Sequence, residues 1–233
     1  MGNLLTKMYK ELTDIIKTKK TRLCFSADFT SSKELIGWIH KVGDHICLLK
    51  THIDILEDFE GTLIETLNTL KKQYNFLILE DRKFSDIGKT FHKQLYGGIY
   101  RISDWADIVT IHGISSKGML HYLNTMPTVS PKILIVSQMS SKDNIIDSLY
   151  TSKCYEIAKQ FPSVVVGFIC QNRFVDDAAF LFASPGVSIE GSTDKDQQYK
   201  TPQQAFKNGS DIIIVGGAIY KHSSPLTAIQ FYK

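Results

Sequence analysis

The chain has 233 residues, 43% of them hydrophobic and 22% charged, with a formal net charge of +3. That length suits one large domain or two small ones, and the hydrophobic share suits a sizeable globular core. The mild positive charge comes with no concentrated Lys/Arg face and no aromatic stacking motif, which argues against nucleic acid, and no apolar run reaches transmembrane length. Cys24, Cys47, Cys154 and Cys170 are scattered without metal-type spacing. Three of them sit inside apolar strand-like runs, where a free cysteine is a small core hydrophobe. With no signal-peptide pattern at the start, a reducing, cytoplasmic location is expected.

In chain order, Met1-Gly2-Asn3-Leu4-Leu5-Thr6 fits the loose N-myristoylation pattern, and Lys7, Lys10, Lys17, Lys19 and Lys20 would supply a basic supplement. The competing reading is an amphipathic helix from about Leu4 to Lys17, packing Leu5, Met8, Leu12 and Ile15 against the domain. Residues 1–21 are therefore expected as a helical extension, touching a membrane only if Gly2 is myristoylated. RLCFSAD (22–28) reads as a first strand, followed by a helix opening at Ser31-Ser32 with Glu34 in its first turn. ICLLKTH (46–52) is a second strand and GTLIETLNTLKKQY the helix after it. FLILEDR (76–82) is a third, with KTFHKQLYG a helix stopped by Gly97-Gly98. ADIVTIHG is the fourth, with a helix from about Lys117 to Asn124. KILIVSQ (132–138) is the fifth, and Ile145 to Phe161 reads as mostly helical. VVVGFIC (164–170), AAFLFASPG and DIIIVGG (211–217) complete the set.

Eight such units, with most strands apolar on both sides, predict a parallel sheet covered by helices. The length fits a (β/α)8 TIM barrel in a single domain over residues 22–233, with a doubly wound open sheet as the alternative. The barrel is preferred because polar residues recur at strand C-terminal ends around the whole set: Asp28, Lys50, Asp81, His112, Gln138 and Gly216-Gly217 among them. In a barrel these rim one mouth, where active sites of this architecture lie.

The stretch FLILEDRKFSDIGKT (76–90) concentrates the chemistry. Its apolar run leads into Asp81, Lys83 and Asp86, and residues two apart on a strand share a face. Opposite charges at the tip of a buried strand cost desolvation unless they pair or meet a ligand. A lone D-x-K is read most simply as a structural ion pair. Lys50, at the end of another apolar run, makes two lysines and two aspartates available to one site. The seven histidines show no paired metal-type spacing; His52 and His112 fall at strand ends and are expected to orient neighbouring groups. Neither Gly-Gly pair forms a dinucleotide fingerprint.

Taken together, LCFSAD, ICLLKTHIDIL, FLILEDRKFSDIG, WADI, the SPGV turn, QQY and GSDIIIVG resemble orotidine 5′-monophosphate decarboxylase of the eukaryotic type, from about Arg22 to Ile219. The D-x-K-x-x-D element is shared with hexulose-phosphate synthases; the K-T-H segment, DIG and QQY carry the decarboxylase match. The resemblance implies cofactor-free, metal-free decarboxylation of orotidine monophosphate to uridine monophosphate. It implies Lys50, Asp81, Lys83 and Asp86 as the catalytic charge network, with Lys83 donating the proton. It further implies a homodimer with shared sites, Asp86, Ile87 and Thr90 reaching the partner's site. Asp28 and Thr90 would bond ribose hydroxyls, Ser140 the pyrimidine edge, and Gln197 and Tyr199 the phosphate, with Pro185, Gly216 and Gly217 also lining the substrate site.

The chain departs from that pattern on the phosphate side. Gly217 stands where the family carries a phosphate-pairing arginine, whose bidentate fork a glycine cannot replace. Losing one charged hydrogen bond costs on the order of 1.5–3 kcal/mol. Asp196 replaces a glycine before QQY, and Thr110-Ile111-His112 stands where the family has Asn-Ala-His. Three readings follow: decarboxylation with weakened affinity, rescued by Lys200 or Lys221; action on a related nucleotide or nucleoside; or a non-catalytic homologue that binds a nucleotide or a protein.

Overall fold

Short runs of β-branched and apolar residues, each too short to be a helix, form the eight expected strands. A computed structural model describes residues 7–125, 131–189 and 196–233. The strands are β1 Leu23–Ser26, β2 Leu48–Thr51, β3 Leu77–Phe84 and β4 Ile108–His112, then β5 Lys132–Val136, β6 Val165–Ile169, β7 Leu181–Ser184 and β8 Ile212–Val215. Each pairs in parallel with the next, and β8 returns to β1 with Val215 opposite Phe25, so the sheet closes into a barrel. The (β/α)8 expectation holds, and the open-sheet alternative does not.

Side chains of successive strand residues part to the two faces. Cys24, Leu48, Leu77, Leu79, Ile108 and Leu134 fill the interior, while Phe25, Leu49, Ile78, Val109 and Ile133 pack outward against the helices. Met8, Leu12 and Ile15 of α1 (Lys7–Lys19) join the interior cluster, so α1 closes the end of the barrel opposite the mouth. The ring of helices continues with α2 Ser32–Val42, α3 Thr62–Tyr74, α4 Gly88–Tyr96 and α5 Ser116–Asn124. It ends with α6 Ser148–Ala158, α7 Pro202–Lys207, α8 Gly217–Tyr220 and α9 Pro225–Gln230. Helix α6 starts three residues later than the sequence pattern suggested. The Asp147 carboxylate accepts from the Tyr150 N–H at 2.7 Å, which caps the first turn and ends the run of helical residues there. Gly2 and Leu5 lie outside the described residues.

Strand β3 is the longest, reaching Phe84, because its pairing with β4 slips between Glu80 and Phe84. Lys83 sits in that slip with φ +49°, a left-handed backbone that costs a non-glycine residue about 1–3 kcal/mol and marks functional positions. Next to it, Glu80 points away from the barrel interior and is fully buried. Its carboxyl accepts from the Thr51 hydroxyl at 2.7 Å and from the Ile53 N–H at 3.0 Å, tying the end of β2 to β3. Burial pushes this carboxyl up to about 8, against the pull of those two bonds and of Arg82, which pairs with Asp54. The folded chain thus holds a proton that the unfolded chain releases near the ordinary carboxylate range, so Glu80 favours folding at low pH and this contribution is lost as pH rises towards 8. Glu80→Gln should therefore flatten the fall in denaturation midpoint between about pH 5.5 and about pH 8.5. Equal pH slopes for the two proteins would show that Glu80 is already ionised at neutral pH.

Candidate active site

The strand ends converge on a cavity of about 680 Å³ at the barrel mouth. Parallel pairing sets Lys50 opposite Leu79, so Asp81 lies one pleat beyond and on the same inward face. Lys50 Nζ is 3.4 Å from Asp81 Oδ2 and 3.1 Å from Asp28 Oδ1; Lys83 Nζ is 2.7 Å from Asp81 Oδ2. One carboxylate oxygen therefore holds two ammonium groups. Burial alone would raise the Asp81 carboxyl, but Lys50 and then Lys83 outweigh it and hold Asp81 well below the usual carboxylate range. Burial opposes the charge on Lys50, and Asp81 and Asp28 overcome that and raise it. Asp28 is likewise held low by Lys50 against its own burial, and its two oxygens each accept from the Ser26 hydroxyl at 3.0 Å.

Two further groups complete the array. The Thr110 hydroxyl donates to Asp81 Oδ1 at 2.8 Å and accepts from the Lys83 N–H at 2.8 Å, so one buried side chain fixes both the acid and the left-handed backbone of the base. His52 Nε2 lies 2.7 Å from Lys50 Nζ. A nitrogen facing an ammonium at that distance must offer its lone pair, which leaves the imidazole neutral with its proton on Nδ1. Burial first, and Lys50 second, push its pKa down in the same direction.

On the opposite wall two loops are stitched together. Gln197 Nε2 donates to the Ser140 hydroxyl at 2.9 Å, the Gln198 N–H to the Ser140 carbonyl at 2.7 Å, and the Lys142 N–H to the Asp196 carbonyl at 2.8 Å. Gly186, at φ +73°, is needed here, because a Cβ would lie 2.3 Å from the Gln198 carbonyl oxygen. The site therefore pairs a charged, partly buried floor with a hydrogen-bonded rim, an arrangement that can hold a small anionic molecule beside two ammonium groups.

A model described as the orotidine 5′-phosphate decarboxylase / HUMPS family matches residues 21–232. The chain belongs to that family. It is 42% identical over 221 residues to an orotidine 5′-phosphate decarboxylase of Candida boidinii, covering 91% of this chain and 82% of that protein. It is 39% identical over 226 residues to the uridine 5′-monophosphate synthase of Bos taurus, covering 96% of this chain but 47% of that one. The barrel is also similar to the crystal structure of orotidine 5′-phosphate decarboxylase from Pyrococcus horikoshii OT3, with a TM-score of 0.68, 21% identity, and 89% and 95% of the two chains covered. At that identity the last likeness speaks for the fold alone.

Of the residues singled out by sequence in this family pattern, Asp28, Lys50, Asp81, Lys83, Ser140, Pro185, Gln197, Tyr199, Gly216 and Gly217 all line the cavity. Asp86, Ile87 and Thr90 do not. Asp86 Oδ1 accepts from the Ile87 N–H at 2.7 Å, and Ile87 is 67% exposed. Within this chain, then, the second aspartate of the array is Asp28. Asp196 is exposed and is not part of the lining, so its charge does not face the cavity. Ser26, Thr110 and His52 carry bonds that the sequence reading did not assign. Two of them left a trace there: His52 as a strand-end residue expected to orient its neighbours, and Thr110 as a departure from the family pattern.

Thr110→Val removes both hydroxyl bonds from a fully buried position and should destabilise the chain by about 1–3 kcal/mol, whereas Thr110→Ser should retain most of the stability. Chemical denaturation compares them, and equal midpoints for the two variants would refute the bridging role.

Proposed function

We propose that this chain decarboxylates orotidine 5′-phosphate to uridine 5′-phosphate, the step of pyrimidine synthesis for which its relatives are named, with no metal or organic cofactor. The observation that carries this reading is the convergence of Lys50 and Lys83 on one oxygen of Asp81 inside a nucleotide-sized cavity. When the bond to the carboxylate breaks, carbon dioxide leaves and the electron pair stays on carbon six of the pyrimidine. That carbon is too basic to exist freely in water. An ammonium held beside it stabilises the charge and then supplies the proton. Lys83 takes this role, becoming an amine that recovers its proton from water.

Asp81 lies against the substrate carboxylate and keeps both lysines in place, and Lys50 holds Asp81 and Asp28. Asp28 bonds the ribose hydroxyls, Ser140 the pyrimidine edge, and Gln197 and Tyr199 the phosphate, beside Pro185 and the Gly216-Gly217 turn. Because Asp86, Ile87 and Thr90 are absent from their own chain's cavity, we assign them to the site of a second copy in a homodimer. The exposure of Ile87 supports this, since a large apolar side chain at a site rim is costly to leave in water. Cytoplasmic residence fits four buried, unpaired cysteines; among the described residues no helix is long and apolar enough to cross a membrane.

Purified protein mixed with orotidine 5′-phosphate should erase the orotate absorbance, and Lys83→Ala should abolish this. Absence of turnover in the unmodified chain at millimolar substrate would leave a nucleotide-binding homologue as the better reading. The shared site has its own test. Mixing Lys83→Ala with Asp86→Ala chains should restore about a quarter of the unmodified activity, because half of the dimers are mixed and each then has one intact site. No recovery on mixing would place Asp86 outside the partner's site.

A further inference from the structure

We propose that Lys221 is the cation that receives the ligand's terminal phosphate, occupying the room that Gly217 leaves open; this rests on the nucleotide reading above. Three lysines line the cavity among its described residues. Lys50 and Lys83 are committed to Asp28 and Asp81. Lys221 forms no ion pair with any described residue and lies on the rim that follows β8, in a cavity whose lining also includes Gln197 and Tyr199.

Its position follows from the local turn. The Lys221 N–H donates to the Gly217 carbonyl at 3.0 Å, so Lys221 ends the single turn that Gly217 opens. A helical side chain leans back over the preceding turn. Accordingly, the Cδ and Cε atoms of Lys221 lie 3.7 Å from where a Cβ on residue 217 would stand. A side chain at 217 would therefore start in ordinary van der Waals contact with the stem of Lys221, so the two positions serve the same corner of the cavity. Tyr220 makes the corner rigid, packing at 5.1 Å from the Phe29 ring and edge-on to Phe25 at 6.4 Å. The other nearby candidate, Lys200, is spent: its ammonium donates to the Gln171 carbonyl, and it is not part of the lining. A phosphomonoester dianion is the ligand class that suits this corner, since a flexible ammonium serves as a point charge for phosphate.

Calorimetric titration of uridine 5′-phosphate and of uridine reads the contribution of the phosphate directly, whether or not the chain turns over substrate. In the unmodified chain the nucleotide should bind more tightly than the nucleoside. Lys221→Met, which keeps the stem and removes the charge, should shrink that Kd ratio by about 10- to 100-fold, and Lys221→Arg should keep most of it. Gly217→Arg should restore the ratio on the Lys221→Met background, and should gain less on the unmodified background, where Lys221 already serves the phosphate. A ratio unchanged by Lys221→Met, or an unmodified chain that binds the two ligands alike or binds neither, overturns the assignment. The absorbance assay scores the decarboxylase reading separately, so a chain that binds through Lys221 without turnover would sink that reading and leave this one standing.

Discussion

Everything at the barrel mouth depends on one oxygen atom. Asp81 Oδ2 faces two ammonium groups at 2.7 and 3.4 Å, with Lys50 and Asp81 themselves mostly buried. Taking such charges out of water is expensive, and the cost is offset only when each lone pair and proton has a partner in good geometry. The partners are supplied by four strands: Lys50 from β2, Asp81 and Lys83 from β3, Thr110 from β4, and Asp28 just beyond β1. Parallel pairing fixes their register, so the array is assembled by the same hydrogen bonds that close the barrel. Lys50, Lys83, Asp28 and Asp81 balance to zero formal charge before any ligand enters.

That balance bears on the chemistry. In the proposed reaction a bound carboxylate brings one negative charge, and its departure as carbon dioxide leaves that charge on the ring carbon, which the proposal places closer to Lys83. The total does not change during the step; only its position does. A cation fixed where the charge arrives stabilises the transition state more than the ground state, which is the condition for raising a rate rather than an affinity. The left-handed backbone of Lys83 fits this logic. A regular strand would aim residue 83 differently, and the Thr110 bond to its N–H helps hold the strained conformation.

The eight strands were legible because each contains a short, mainly apolar run separated from the next by an amphipathic or polar segment. Asp81 and Lys83 were legible as a pair for a reason that proved only partly right. Period-two alternation put them on one face, yet the pairing slips between Glu80 and Phe84, and Lys83 reaches the cavity from an irregular backbone. Thr110 could not be read out because a threonine within an apolar strand has the same signature whether it packs or bridges. Glu80 was hidden between conspicuous neighbours, and its partners, Thr51 and the Ile53 N–H, come from another strand. The role of His52 is set by a single distance to Lys50, which no spacing rule contains.

The two ends of the cavity are built differently, and that difference governs which changes the site tolerates. Residues of the charged floor sit on strands or within two residues of a strand end and are coupled through shared bonds, so altering one leaves its partners unpaired. The rim is made of loops and a single helical turn, where Lys221 reaches its place from solvent and Gly217 has no Cβ to obstruct it. On the assignment of Lys221 to the phosphate, a cation there can be supplied from position 221, next to Gly217, without disturbing a strand. Substitutions on the phosphate side therefore do not imply loss of the reacting end, and the intact floor of this chain is what a shifted anchor with preserved chemistry requires.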